Sequence, residues 1–507
     1  MMNWKRSLLA ILTVLSMYSV FFALSQSLGE PQVQSQLELY QTNLILNASS
    51  LNQSSNPLIS DSGNVGNIAQ GLIGTNPYSL AQSQYEKALK VTEDSLHNFE
   101  VKNKSFLASE KVMASESPRQ QLKQNIQQYQ KLVNDFNIKL GIISAKENNL
   151  TKANDYLSDI DDEELKITLT KIWNKETQID DKLEEIVNKK LDGWFQLNTL
   201  AQLYENKNDK VKLAEVQLKL GILAEKAVYW LFILSIIPVM GGLIGVGLII
   251  FLIIQLAIKK ETSILAINYN QIWESPWNWE IIWQVFIVGF FFLSQVLLPI
   301  FFGLSGFNPN SLNIKGKALY VLASYFFMAG GGLLVLYLSL KSFFPLPEGW
   351  FKLTNKKWYL WGIGGYLVAI PCIFFVSIIN QQLWQGKGGS NPLLLLALES
   401  QDKFALAIFF ITASIAAPIF EEIMFRGFLL PSLTRYLPVW GAIVASGILF
   451  AVAHLSLAET IPLATLGIIL GIVYTRSRSL LASITLHSLW NSGTLFSLFV
   501  LGLSDKV

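Results

Sequence analysis

The second half of the chain is built from apolar runs too long and too numerous for a soluble core. From about residue 227 onward Leu, Ile, Phe, Val, Gly and Trp dominate. The runs fall at 228–257, 281–303, 318–340, 358–379, 404–424, 439–457, 460–475 and 480–502. Several reach the roughly 20 residues that carry a helix across a bilayer. A segment in hydrocarbon must satisfy its own backbone, so helices are the form such runs take. Residues from about 30 to 226 are the opposite, rich in Lys, Glu, Asp, Asn and Gln. The averages over all 507 residues, 51% hydrophobic and 15% charged, blend these two unlike halves.

Residues 8–24 are also apolar and follow Lys5 and Arg6. Region 1–25 therefore reads as a signal peptide or as a signal-anchor helix. Ala23 and Ser25 have the small-residue spacing of a cleavage site, and a run of about 17 residues just suffices to span. Either way the positive end stays inside, which places residues 26–226 outside the cytoplasm. Further Lys and Arg residues fall in alternate loops. They are Lys259 and Lys260; Lys341, Lys352, Lys356 and Lys357; Arg426 and Arg435; and Arg476 and Arg478. Lys315 and Lys317, in an outer loop, are exceptions to this pattern. The expected fold is all-α: a multi-pass transmembrane bundle of eight helices, or nine with the N-terminal one, plus an extracytoplasmic helical domain. The plasma membrane and an internal membrane fit equally.

Residues 26–77, rich in Ser, Asn, Gln and Gly, read as a flexible linker. Residues 78–226 read as a soluble helical domain able to hold a protein partner. Two stretches there resemble tetratricopeptide repeats: Leu140-Gly141 with Ala153, and Leu200-Ala201 with Tyr204 and Ala214. Small residues at such places let paired helices approach. A plain helical hairpin or coiled-coil-like bundle reads equally well. Transmembrane helices then occupy 227–400, and a catalytic core occupies 401–502. Gly467 and Gly471 have the spacing that lets membrane helices touch. The net charge of +2 comes without a basic cluster, so nucleic acid is not an expected partner. Cys372 is the single cysteine, which excludes an intrachain disulfide and a thiolate metal site.

Ionisable residues inside membrane helices are costly and usually functional. Here they cluster in the last hundred residues: Glu421 and Glu422, then His454, then His487 with Asn491. Two of the three histidines are in this set, and His97 lies in the polar half. Adjacent residues on a helix point about 100° apart, so Glu421 and Glu422 cannot share one job. Glu422 lies four residues before Arg426 and can pair with it. Glu421 is then free to face a cavity. His487 and Asn491, and likewise Phe450 and His454, share a face, with Phe450 packing beneath the imidazole. A desolvated carboxylate can act as general base on water. Imidazole and amide N–H groups can donate to a developing oxyanion. Each residue alone is more often structural; the three polar insertions together point to hydrolysis.

These motifs resemble those of the CAAX-protease and bacteriocin-processing (CPBP, Abi-like) family of intramembrane glutamic endopeptidases, which includes the type II CAAX prenyl endopeptidases. EExxxR stands as Glu421 to Arg426, FxxxH as Phe450 to His454, and HxxxN as His487 to Asn491; Gly427-Phe428-Leu429-Leu430 is also family-like. The resemblance covers about residues 404–500. It implies that Glu421 activates water together with His454. It implies that His487 and Asn491 stabilise the oxyanion, and that Glu422 and Arg426 support them. A protein or peptide, bound in or near the bilayer, is the expected substrate, and no cofactor is expected.

Three other readings compete. Glu421, His454 and His487 suit a zinc protease site, although the HExxH helix is absent. A non-catalytic scaffold recruiting partners through 78–226 is a second. A transporter with a proton relay is a third, without the inverted repeat that would support it. Span counting also sets a puzzle. Glu421 falls near the cytoplasmic end of its run, and His454 nearer the opposite end of the next. Either the helix continues through Arg426 towards Leu433, or segment 427–438 dips inward. The mechanism requires both side chains to reach one shared water.

Overall fold

A computed structural model describes residues 4–28, 30, 32–53, 71–108, 116–175, 180, 182–305, 309–400 and 402–504. Among the described residues every regular element is helical. The chain divides into two compact units. One comprises Met1–Glu30 and Ile237–Phe499; the other comprises Pro31–Ile236 with Val500–Val507.

In the polar unit, helices Val33–Ser49, Pro77–Ala108, Glu116–Lys146, Leu150–Ser158, Glu163–Trp173, Lys182–Lys190 and Gly193–Asn206 pack on their neighbours. A side-chain cap starts several of them: Asn149 accepts from the Lys152 amide, and Asp162 from the Leu165 amide. Gly141 marks a close approach. A Cβ there would lie 2.5 Å from the Leu157 side chain and 3.5 Å from the Ala153 carbonyl. The linker reading of 26–77 needs correction at its start, because Val33–Ser49 is a helix. Its Leu44, Leu46 and Ala48 are buried. Its polar residues are used for bonding: the Tyr85 hydroxyl donates to Asn43 at 2.6 Å. Residues 54–70 of that stretch lie outside the described residues.

Among the described residues seven helices are long and apolar enough to cross a membrane: Trp4–Ser27, Lys210–Thr262, Trp279–Leu304, Ile314–Phe343, Trp358–Trp384, Lys403–Leu433 and Leu457–Ser477. Val439–Val452 is shorter, and Leu480–Ser504 closes the series. The N-terminal helix packs as a bundle member. Leu9, Ser16 and Val20 are buried, and Thr13 accepts from the Trp283 indole at 2.8 Å. Lys315, an exception to the charge pattern, forms an ion pair with Asp402 at 3.3 Å. Asp402 also accepts from the Phe404 and Ala405 amides and so caps the helix that carries the two glutamates.

That helix runs unbroken from Lys403 to Leu433. Of the two topologies left open by span counting, the structure adopts the continuous one. Its turns widen to π-helix at Thr412–Ala416 and again at Ile423–Leu429. The first widening precedes Pro418, whose missing N–H cannot continue a regular ladder. The run read as 439–457 is shorter: the helix ends at Val452. A turn with left-handed Leu455 (φ 58°) follows, and Ser456 caps the next helix. That next helix, Leu457–Ser477, packs tightly on Val439–Val452. A Cβ on Gly467 would lie 2.8 Å from Gly447 Cα and 3.0 Å from its carbonyl oxygen. Gly471 faces Ile443 and Leu430. Of the two glycines singled out in the sequence, Gly467 is therefore a point of backbone contact and Gly471 makes room for side chains.

Candidate active site

The ionisable residues of the membrane unit converge through their helices. Glu422 and Arg426 are one turn apart on the Lys403–Leu433 helix, and both side chains are fully buried. Arg426 Nη1 donates to Glu422 Oε1 at 2.9 Å, and Nη2 donates to the Gly467 carbonyl at 3.0 Å. The guanidinium thus ties this helix to the Gly447–Gly467 contact. It also lies over the Phe450 ring, 4.6 Å from its centroid.

His487 joins the same carboxylate. Its Nδ1 lies 2.9 Å from Glu422 Oε1. A carboxylate accepts, so Nδ1 carries the proton. That fixes the ring and turns Nε2 towards Glu421, whose Oε2 is 4.0 Å away. The Glu421 side chain is 15% exposed, against none for Glu422. The adjacent glutamates therefore differ as the helical geometry predicts. Glu422 faces Arg426 and His487, and Glu421 Oε2 makes no hydrogen bond among the described residues. A water about 2.8 Å from both Glu421 Oε2 and His487 Nε2 would span that gap with an angle near 90°.

His454 caps the end of its helix. Its Nδ1 lies 2.8 Å from the Phe450 carbonyl, one of the C-terminal acceptors left open there. Nδ1 is again the protonated nitrogen, and Nε2 is the free one in the neutral ring. Among the described residues no hydrogen bond or ion pair joins His454 to Glu421. Phe450 connects His454 to the cluster instead. Its buried ring packs edge-on against both imidazoles, at centroid distances of 4.8 Å to His454 and 5.5 Å to His487. Asn491 Nδ2 donates to the Ala413 carbonyl at 2.7 Å. Although His487 and Asn491 share a helix face, they serve different partners. Asn491 meets the first widened turn, and His487 meets Glu422.

Three contacts were not legible from motif spacing. Tyr325, on Ile314–Leu340, brings its hydroxyl to 3.4 Å from Glu421 Oε1 and 3.4 Å from the Ala417 carbonyl. Gly467 supplies a carbonyl to Arg426. Glu459, just past His454, accepts from the Asn391 amide at 3.1 Å. None carries a sequence signal, because partners 96, 41 and 68 residues apart meet only in the fold. Among the described residues no group of three or more His, Cys, Asp or Glu side chains is placed to hold a metal ion.

Comparison with known proteins places this region in context. Residues 403–493 match the family model described as type II CAAX prenyl endopeptidase Rce1-like. The match contains Glu421, Glu422, Arg426, Phe450, His454, His487 and Asn491, and begins well after Tyr325. The chain is also similar to the "Putative membrane peptidase YdiL" of Bacillus subtilis (strain 168). The two are 24% identical over 220 residues, 42% of this chain and 86% of the relative. No solved structure gives a significant match. Residues 403–493 are therefore an Rce1-like domain of the type II CAAX prenyl endopeptidase kind, and the chain that carries it is a multi-pass membrane peptidase.

Proposed function

We propose that the protein hydrolyses a peptide bond of a protein or peptide substrate in or near the bilayer, with Glu421 as the base that activates water. One observation carries this reading. Glu421 Oε2 is free of protein hydrogen bonds among the described residues and faces His487 Nε2 at 4.0 Å, while the neighbouring glutamate is committed through its Oε1 to Arg426 and His487. Glu421 takes a proton from water, and the water oxygen attacks the substrate carbonyl carbon. The carbonyl electron pair moves to oxygen. His454, with Nε2 free as an acceptor, helps to hold the water. His487 in its doubly protonated form donates Nε2–H to the oxyanion while Glu422 holds Nδ1. Asn491 keeps one amide hydrogen on Ala413 and has a second to give. On collapse Glu421 returns its proton to the leaving amine.

This reading uses no metal. Full activity after stringent chelation, with no metal bound, is the expected result; loss restored by zinc would favour the zinc alternative. A C-terminally prenylated peptide is one substrate to try, on the strength of the matched family's description. The loop charges favour residues 26–226 outside the cytoplasm. The decisive experiment compares the membrane proteomes of wild type and Glu421→Gln. Uncut proteins should accumulate in the variant, and identical proteomes would instead favour a scaffold working through residues 78–226.

A further inference from the structure

We infer that Tyr325 is a positioning residue for the Glu421 carboxylate, its hydroxyl alternating between Glu421 Oε1 and the Ala417 carbonyl during turnover. The inference rests on the reading of Glu421 as the base. The hydroxyl lies 3.4 Å from each acceptor. A phenol has one proton and donates to one acceptor at a time. Ala417 and Glu421 are four residues apart, so both acceptors lie on one helix face and a small rotation of the O–H exchanges them. The ring itself is held in place. It stands edge-on to Phe420 at 6.1 Å and 88°, and Phe420 is buried and stacked on Phe290.

The chemistry follows from which acceptor is stronger. An ionised carboxylate is the better acceptor and takes the hydroxyl. Once Glu421 has received the proton of water it is a neutral acid, and the Ala417 carbonyl competes successfully. Tyr325 keeps its own proton throughout, so the overall proton count of the hydrolysis is unchanged. Binding at Oε1 also stops the carboxylate from rotating, which leaves Oε2 pointed at the gap before His487. The helix that supplies Tyr325, Ile314–Leu340, lies outside the matched residues 403–493. The Rce1-like domain thus borrows part of its proposed base from the preceding membrane helices.

Tyr325→Phe removes the hydroxyl and keeps the ring against Phe420, so it should accumulate in membranes at the wild-type level. Infrared difference spectra of the full chain in lipid nanodiscs, recorded across pH, need no substrate. The Glu421 carboxyl band is the one that Glu421→Gln abolishes. In Tyr325→Phe its ionised counterpart, the Glu421 carboxylate band, should shift, because a donor to the ionised group is gone, while the band of the neutral acid should stay. Processing of the proteins that accumulate in Glu421→Gln membranes should slow about tenfold, as loss of one hydrogen bond to a charged group predicts. An unmoved carboxylate band and rate, with Glu421→Gln still inactive, would overturn the inference and leave the base assignment standing. A slower rate with the carboxylate band unmoved would mark a packing role and also overturn it. Wild-type processing by Glu421→Gln would remove both.

Discussion

The two units each hold a three-member charge cluster, and the clusters differ in what surrounds them. In the polar unit, Lys190 reaches both oxygens of Asp162 at 2.8 Å and Glu164 at 2.9 Å, with 22–49% of each side chain exposed. In the membrane unit, Glu422, Arg426 and His487 meet with 0–3% exposed. Water competes for the first cluster and screens it, so its net worth is small. The second has no such competitor, and each member depends on the others for its solvation. A charge cluster seen in a sequence therefore indicates function only once its burial is known.

The sharpest test of this contrast is Arg426→Ala. It leaves the Glu422 carboxylate buried with one donor fewer and removes the side-chain donor from the Gly467 carbonyl. A loss of about 3–5 kcal/mol is expected, read as a collapse of membrane abundance or of the thermal midpoint in detergent. A variant as stable as wild type would show that the buried cluster is as dispensable as an exposed one. Asn491→Ala should have the next largest effect. Processing should fall about 10²-fold if its second amide hydrogen meets the oxyanion, with the fold preserved; an unchanged rate would leave it only the Ala413 bond. Gly467→Val forces the side chain into the Gly447 backbone. Overpacking of this kind costs about 1–3 kcal/mol, and it should also release Arg426, so Gly447→Val measured beside it separates the two contributions.

The smallest effect belongs to Lys190→Ala, expected to change stability by less than about 1 kcal/mol at neutral pH. Its pH dependence has a definite sign. The Lys190 ammonium, helped by the Leu165 amide, holds the Asp162 carboxyl below its ordinary value of 3.8. A lowered folded-state value contributes stability above pH 3.8 and loses it as pH falls through the folded value beneath. Lys190→Ala should therefore lower the neutral end by that small amount and converge with wild type at the acid end, where the contribution is lost in both. Equal curves at neutral pH as well would mean that Asp162 is held by its helix cap alone.

What the sequence disclosed follows the same division. The Glu422–Arg426 pair was legible because helical spacing alone puts residues four apart on one face. The separation of Glu421 from Glu422 was legible for the same reason. His487 and Asn491 share a face as the spacing requires, but spacing cannot say that one meets Glu422 and the other the Ala413 carbonyl. Tyr325 could not be found, since a tyrosine in an apolar run is ordinary and its partner lies on a distant segment. The helix Val33–Ser49 was hidden by its Gln and Asn residues, which resemble a linker until Tyr85 is seen bonding to Asn43. The early end of Val439–Val452 was hidden too. Ala453 and His454 continue an apolar run, and only the bond from His454 back to the Phe450 carbonyl shows that the helix is over.

The contact between Gly447 and Gly467 has a mechanical consequence. The carbonyl that receives Arg426 belongs to the residue on which two membrane helices touch, so three helices meet at one peptide group. A force that draws the Leu457–Ser477 helix away from the Lys403–Leu433 helix must stretch the bond from Arg426 to Gly467. A displacement of the Leu457–Ser477 helix would thereby pull on Arg426, the support of Glu422, without touching that carboxylate.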